Sequence, residues 1–469
     1  MNSFRIQNIK GFLDSGEIEL KPLTLIIGQN SSGKSSLVRF PLVLKQTFMD
    51  DSMAPLLFYG KSIDYGNYRD VVFHHQAGKP IVFSVTLPAN GLAKHLVTDR
   101  EEQHLLGDVQ QFRVEVEIAQ DAAEMLMVKT FTVYGIPGDT VIFRLALAPD
   151  GQTYAITHYK GTGEPIQAAH MKFDKFLPDF RLTSDLREAM GKLEHVFYYF
   201  FLDLHRYFSF MANRIYYIGP FRRTPERAYR YKENAVNYVG HDGEFAPVIL
   251  AQDRRMGGTL TERVSDWLRR HLNYSLEIED LHGGTIDSQT DLFRLMVTDH
   301  VTQAKNNVID MGHGLSQLIP IVVQTFMDDS PPDKYPRLRS FPFSLTVIEQ
   351  PELHLHPAAQ ACLMDLFMEG IAHRRHAAAK SFLIETHSEH MLIRLRRYIV
   401  EEKIDLDDVA VYYTAKNGSG NNEVRRLEID EYGHIEDWPE GFFEEDFSEV
   451  LALNKALRDK GGEEDIIPW

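Results

Sequence analysis

Residues Ile26–Val38 read IIGQNSSGKSSLV. Six glycine or serine residues and a single lysine lie between the apolar run Leu23–Ile27 and an apolar start at Leu37. Gly28, Gly33, Lys34 and Ser35 have the G-x-x-x-x-G-K-S spacing of a phosphate-binding loop, and that motif requires a strand before it and a helix after it. Leu23–Ile27 reads as a buried strand, and the stretch from Ser36 onward reads as a helix. The chemistry accounts for the composition. Backbone N–H groups that curl closely round a phosphate need small residues, and a helix N-terminus offers free N–H groups and a favourable dipole. Gly28, Asn30, Ser31, Ser32, Gly33 and Ser36 would shape this cradle. Lys34 would neutralise the β- and γ-phosphates, and the Ser35 hydroxyl would ligate Mg²⁺.

The bulk properties bound the rest. With 469 residues the chain is too long for one ordinary core, so two or three packed units are expected. The net charge of −17 supplies no global positive field, so any DNA contact needs a local basic patch. One cysteine, Cys362, excludes an intramolecular disulfide and a CxxC zinc site, and it fits a reducing compartment. MNSFRIQNIKGF has no signal-peptide core, and HVFYYFFLDL (195–204) is about half a membrane span and contains Asp203. A soluble cytoplasmic protein with no membrane contact is expected.

Along the chain, Phe4–Ile9 and Gly16–Leu20 alternate as strands. Further β-rich segments follow the loop: Ile81–Leu87, Phe112–Ile118, Thr130–Tyr134, Val141–Ala146 and Thr153–His158. Residues 1–171 therefore read as a nucleotide-binding lobe with an antiparallel β-rich part. Residues 172–213 read as a helical, aromatic-rich insertion, either a buried packing face or a subunit interface. Residues 214–469 alternate strand (Ile215–Ile218, Leu345–Ile348, Ser381–Ile384) and helix (Pro357–Ala372, Glu389–Ile399), the pattern of a parallel sheet with crossover helices. The expected class is α/β. Two compositional features stand out in this part. RIYYIGPFRRTPERAYRY (214–231) is a local arginine cluster, either a solvated loop or a contact for phosphate, DNA or an acidic partner. The tail EIDEYGHIEDWPEGFFEEDFSE (428–449) is acidic and aromatic.

The remaining chemistry lies in three motifs. The apolar run FSLTVI ends in Glu349-Gln350-Pro351-Glu352, and a carboxylate at a strand's C-terminal end beside a P-loop is placed to hold Mg²⁺. FLI ends in Glu385-Thr386-His387-Ser388, whose histidine could bond a γ-phosphate or an attacking water. Asp310-Met311-Gly312-His313-Gly314-Leu315-Ser316 places glycines at a helix start, a second anion site. His354 and His356 read as residues shaping a loop, since a zinc site lacks a third ligand.

This order of motifs is similar to ABC-type ATPase heads, which include SMC, RecF and overcoming-lysogenization-defect (OLD) proteins. VIEQPELHLHP with IETHSEHMLIRLRR resembles the prokaryotic AAA-family ATPases of the OLD-like branch, many of which serve anti-phage defence beside a nuclease or toxin. The resemblance implies a P-loop ABC-type head that binds ATP and Mg²⁺ and forms ATP-sandwich dimers. It assigns Glu349 the metal position beside Ser35. It puts Gln350 where a catalytic glutamate is usual, leaves Glu352 as the alternative base, and makes His387 the switch histidine. Gln76 or a neighbour takes the part of a phosphate-sensing glutamine. Gly312 and Gly314, by their amides, or Ser316, by its hydroxyl, reach the partner's ATP, with the amides favoured. A glutamine orients water but does not take its proton, so slow hydrolysis and a switch controlling a separate effector are expected, triggered by DNA or a phage protein. The alternative is a DNA-repair ATPase that clamps DNA directly.

Overall fold

Strand β1 (Ser3–Ile9), β2 (Phe12–Asp14), β3 (Ile18–Glu19) and β4 (Leu23–Gly28) lead into the P-loop, and helices α1 (Lys34–Val38) and α2 (Phe40–Met49) leave it. The computed structural model describes residues 1–89, 92, 109–158, 166–169, 171–179, 193–282, 289–327, 343–372 and 380–438. After the short helix α3 (Tyr68–Val71) come β5 (Ile81–Pro88), β6 (Gln111–Gln120), β7 (Leu126–Ile136), β8 (Thr140–Leu147), β9 (Thr153–His158) and β10 (Ile166–Ala169). A hairpin, β11 (Lys172–Asp174) and β12 (Leu177–Asp179), precedes helix α4 (Leu193–Asn213) and β13 (Ile215–Ile218). The C-terminal part adds β14 (Tyr229–Arg230), α5 (Ala246–Arg255), α6 (Thr259–Leu272), β15 (Tyr274–His282), β16 (Gln289–Asp299), β17 (Lys305–Asn307) and α7 (His313–Phe326). It closes with β18 (Ser344–Glu349), α8 (Pro357–Ala372), β19 (Lys380–Glu385), α9 (Glu389–Val400), β20 (Val409–Lys416) and β21 (Asn422–Leu427).

One large sheet runs β10-β9-β8-β7-β6-β5-β1-β2-β21-β20-β4-β19-β18-β13, with β3 beside β1. It has two halves of opposite character. From β10 to β2 every pairing is antiparallel, while β20, β4, β19, β18 and β13 are all parallel. Strands β4 and β18 are buried at every position, as expected for parallel strands covered on both faces. The β-rich stretches expected after the loop all appear, four of them lengthened and Thr153–His158 unchanged, while the expected strand Gly16–Leu20 is reduced to Ile18–Glu19. Strands from the first and last segments of the chain interleave in this sheet. The α/β class holds, as a mixed sheet with crossover helices and an antiparallel arm.

The helical reading of 172 onward is corrected at its start. Lys172–Asp179 is a β-hairpin turning at Lys175 (φ 58), with Phe173 opposite Pro178, and the helix begins at Leu193. The turn is held from a distant part of the chain: Lys175 Nζ donates to the carbonyls of Asp50 (2.6 Å) and Ser52. The expected helical stretch from Leu186 to Lys192 lies outside the described residues. Within α4 the aromatic run is a packing face. Phe197, Phe200, Phe201, Leu204, Phe208 and Met211 recur at three- and four-residue intervals and are all buried. Phe200 meets Phe112 at 5.4 Å and Phe201 meets Phe143 at 5.0 Å between ring centroids, which ties the helix to the antiparallel arm.

Strands β14–β17 form a second small sheet that the sequence reading did not anticipate. A second core, mostly aliphatic, gathers α5–α9 on the other side of the parallel strands.

Candidate functional site

A cavity of about 570 Å³ opens where β4 ends, beside the C-terminal end of β19. Open parallel sheets bind ligands at this edge, outside the carboxyl ends of the strands. Asn30, Ser31, Gly33, Lys34, Ser35 and Ser36 line it, together with Gln350, Glu385 and His387. The rest of its wall comes from residues the sequence did not single out: Lys10, Gly11, Asp70, Val72, His74, His75 and Asn422. Gln76 or a neighbour had been expected here; Gln76 does not line the cavity, and the adjacent His75 does, with His74.

The loop's shape depends on its glycines. Gly28 has φ 141 and Gly33 has φ 90, a region L side chains rarely adopt. A β-carbon on Gly28 would lie 2.1 Å from the carbonyl oxygen of Thr414, and one on Gly33 would lie 2.8 Å from the Phe12 ring. Strand β20 braces the loop from outside: Gln29 N donates to Thr414 O (3.2 Å), and Ser32 Oγ lies 2.6 Å from Thr414 Oγ1. Ser32 thus supports the loop while its neighbours face the cavity. Lys34 is buried and turns its amine onto the carbonyls of Gly28 (2.9 Å) and Gln29 (2.6 Å); burial lowers its pKa.

The two acids at the strand ends are in register, Glu349 on β18 opposite Glu385 on β19. Arg39, between α1 and α2, grips both oxygens of Glu349 at 2.6 Å, and Tyr217 on β13 adds a hydroxyl at 2.7 Å. Glu385 is the acid that meets the P-loop. Ser35 Oγ donates to its Oε1 at 3.0 Å, and its Oε2 is buried without a hydrogen bond. Burial, with Glu349 nearby, pushes the Glu385 carboxyl up to about 7 against the opposing Ser35 bond. Glu349, expected beside Ser35, is thus placed on Arg39 instead. The acid sequence reasoning passed over was visible as a second apolar strand ending in glutamate.

Gln350 has φ 45 and faces the cavity; its N–H donates to Glu385 O at 2.8 Å. Glu352 lies behind, buried. Its Oε2 accepts from Thr386 Oγ1 (2.8 Å) and its Oε1 from His387 N (2.7 Å), while burial raises its pKa. Both oxygens therefore serve to clamp the segment that carries His387. Burial, with Lys34 nearby, lowers His387 to about 4, so its imidazole is neutral at pH 7.

The other expected anion site is elsewhere. Gly312, His313 and Gly314 stand at the exposed or half-exposed start of α7, outside the P-loop cavity, and Gly314 packs against His354 O. Ser316 is buried and donates to His313 O at 2.8 Å. The arginine cluster also disperses. Arg214 donates to Phe343 O, Arg223 pairs with Asp242 and Glu244, and Arg227 pairs with Asp310. Arg222 is buried. It donates to the carbonyls of Gln350 (3.0 Å) and Glu349 (2.9 Å), and its own carbonyl accepts from Gln317 on α7 (3.3 Å). The acidic tail is described only to Trp438.

Residues 181–392 match a family model described as "AAA domain, putative AbiEii toxin, Type IV TA system". That match spans less than half of the chain; it takes in Glu349, Gln350, Glu352 and His387 and leaves out the P-loop. Residues 404–453 match a model described as "Protein of unknown function (DUF3696)". No curated protein matches the chain. Among solved structures, the Smc head domain of Pyrococcus furiosus, with an extended coiled coil and bound to the C-terminal domain of ScpA, is 10% identical (TM-score 0.39; 97% of this chain, 99% of that one). The SMC head domain from Thermotoga maritima is 10% identical (TM-score 0.37; 91% and 99%). The recombination mediator protein RecF of the RecFOR pathway is 12% identical (TM-score 0.32; 91% and 98%). Likeness at that level carries no functional weight, and the P-loop cavity stands on its own chemistry. No helix among the described residues is long and apolar enough to cross a membrane.

Proposed function

We propose that the chain is an ABC-type ATPase that binds ATP with Mg²⁺ in the P-loop cavity, hydrolyses it slowly, and acts as a nucleotide-dependent switch. The observation that carries the reading is the meeting of Lys34, Ser35, Glu385 and His387 around one cavity at the end of parallel strands. The residues fit a hard cation: Ser35 Oγ and the unpaired Glu385 Oε2 are oxygen donors of the kind Mg²⁺ takes. Mg²⁺, when bound, neutralises charge on the β- and γ-phosphates. Lys34 would leave its two carbonyls for the phosphate, and neutral His387 would hydrogen-bond a γ-oxygen or the attacking water. Gln350 would orient that water without taking its proton. Glu352, with both oxygens engaged, is poorly placed to serve as the base.

Gly312, exposed, and Gly314, half-exposed, stand at a helix start outside the chain's own cavity, which supports an ATP-sandwich dimer in which each copy completes the other's site. The buried, bonded Ser316 favours the amide register over the hydroxyl. A role in anti-phage defence, controlling a separate nuclease or toxin, draws support from the toxin–antitoxin description of the matched family model. Arg223 and Arg227 pair with acids of the chain and Arg214 and Arg222 bond backbone carbonyls, which gives no support to a direct DNA clamp.

Single-turnover hydrolysis tests the reading. Lys34→Ala should abolish nucleotide binding. Gln350→Glu should accelerate hydrolysis by about 10²–10⁴-fold, the range of general-base help. A wild-type rate near 10³ s⁻¹, the upper end of ordinary enzymes, would refute the slow switch. Native mass spectrometry of the product of the native locus, with and without ATP·Mg²⁺, should show a nucleotide-sensitive assembly containing a second chain. A bare ATP-dependent homodimer would refute effector control.

A further inference from the structure

Away from the P-loop cavity, the C-terminal end of α6 crosses α8. Cys362, Asp365 and Glu369 are spaced i, i+3 and i+7 along α8 and so share one face. His271 of α6 points at that face. One ligand atom from each of His271, Cys362 and Asp365 lies within 4.8 Å of the others. His271 Nδ1 is 3.4 Å from Asp365 Oδ2 and Nε2 is 3.5 Å from Glu369 Oε1. Nε2 is buried without a hydrogen bond. The Trp267 ring, stacked at 4.7 Å, fixes the imidazole plane.

We propose that His271, Cys362 and Asp365 form a binding site for a borderline-soft transition-metal ion such as Zn²⁺, joining α6 to α8. The donor set chooses the class of ion. A thiolate and an imidazole favour Zn²⁺ over Mg²⁺ or Ca²⁺, and three protein ligands leave a fourth tetrahedral position for water. Coordination through Nδ1 would leave Nε2–H facing Glu369, the carboxylate–histidine–metal arrangement that sets the tautomer. The outer partners are already in place. Arg394 donates to both oxygens of Asp365 at 2.7 Å, Tyr398 adds its hydroxyl, and Arg270 holds Glu369 through two bonds of 3.0 Å. An ion-pair network alone would explain the carboxylates and arginines. In such a network His271 is a charged imidazolium among Asp365, Cys362 and Glu369, held up to about 10, whereas a metal would take the ring and the thiol as ligands, and titration with metal separates the two.

The test is titration of the full-length, chelator-stripped protein with Co²⁺, followed by Zn²⁺. One equivalent of Co²⁺ should give a thiolate-to-cobalt charge-transfer band that Zn²⁺ removes. Cys362→Ser should lose the band and weaken binding by at least about tenfold, while Glu369→Gln should keep the band and weaken binding by roughly 10–100-fold. No band in the wild type would overturn the proposal, as would undiminished binding by Cys362→Ser, which would place the metal on other histidines. Should Cys362→Ser fail to fold by circular dichroism, Glu369→Gln decides: a band with unchanged affinity overturns it. None of these readouts depends on nucleotide.

Discussion

The ends of β18 and β19 lie side by side, each finishing in a glutamate, and the two acids have opposite environments. Glu349 is satisfied by an arginine fork and a tyrosine hydroxyl. Glu385, one strand nearer the P-loop, keeps one buried oxygen without a partner and a carboxyl pushed up to about 7. A strand that ends in an acid thus indicates only that a carboxylate reaches the rim of the sheet. Whether that carboxylate is structural or available for chemistry depends on which cation the neighbouring elements bring to it. Here the α1–α2 junction brings Arg39 into direct contact with Glu349, whereas the P-loop brings Ser35 Oγ to Glu385 and Lys34 acts on it only through space.

The largest expected effect tests the satisfied acid. Arg39→Met leaves Glu349 buried and without its cation, which should cost about 3–5 kcal/mol in chemical denaturation. A cost under about 1 kcal/mol would mean that Glu349 is already solvated or protonated, and the contrast with Glu385 would collapse.

The unsatisfied acid should act in the other direction. In nucleotide-free protein Glu385 stays protonated up to about pH 7 while its unfolded counterpart ionises near 4.5. Its raised pKa therefore contributes stability below pH 4.5 that is lost as pH rises to about 7, on the order of 3 kcal/mol. Glu385→Gln should flatten that slope with little loss of stability at pH 7. An unchanged pH profile would show that Glu385 is not desolvated.

A smaller effect probes the clamp behind both strands. Thr386→Val removes the hydroxyl that donates to Glu352 and accepts from Ser388 N, and should cost about 1–3 kcal/mol in thermal or chemical unfolding. The smallest effect sets an exposed acid–arginine pair beside the buried one. Arg5 holds Asp14 down to about 2, so this pair contributes stability above pH 3.8 that is lost as pH falls to about 2. Both side chains are well exposed, so solvent screening should keep the loss in Asp14→Asn to a few tenths of a kcal/mol at neutral pH. A cost comparable to that of Arg39→Met would show that burial does not distinguish the two pairs.

The sequence alone determined the P-loop, the run of β-strands, the parallel character of the C-terminal strands, and the candidates Lys34, Ser35, Gln350 and His387. These are local features: a glycine spacing, a period of two, an apolar run of strand length. The aromatic face of α4 was legible for the same reason, because its three- and four-residue spacing encodes a buried stripe. Only the tertiary structure decided the partners. Arg39 meets Glu349 across 310 positions of sequence, and Asn422 reaches the P-loop cavity because β21 lies beside β2. It also scattered an arginine cluster that is contiguous in sequence and assigned Glu352 to a clamp. A charge's environment is set by what packs within a few ångströms of it, and Coulomb and desolvation energies depend on that distance and burial, not on separation along the chain.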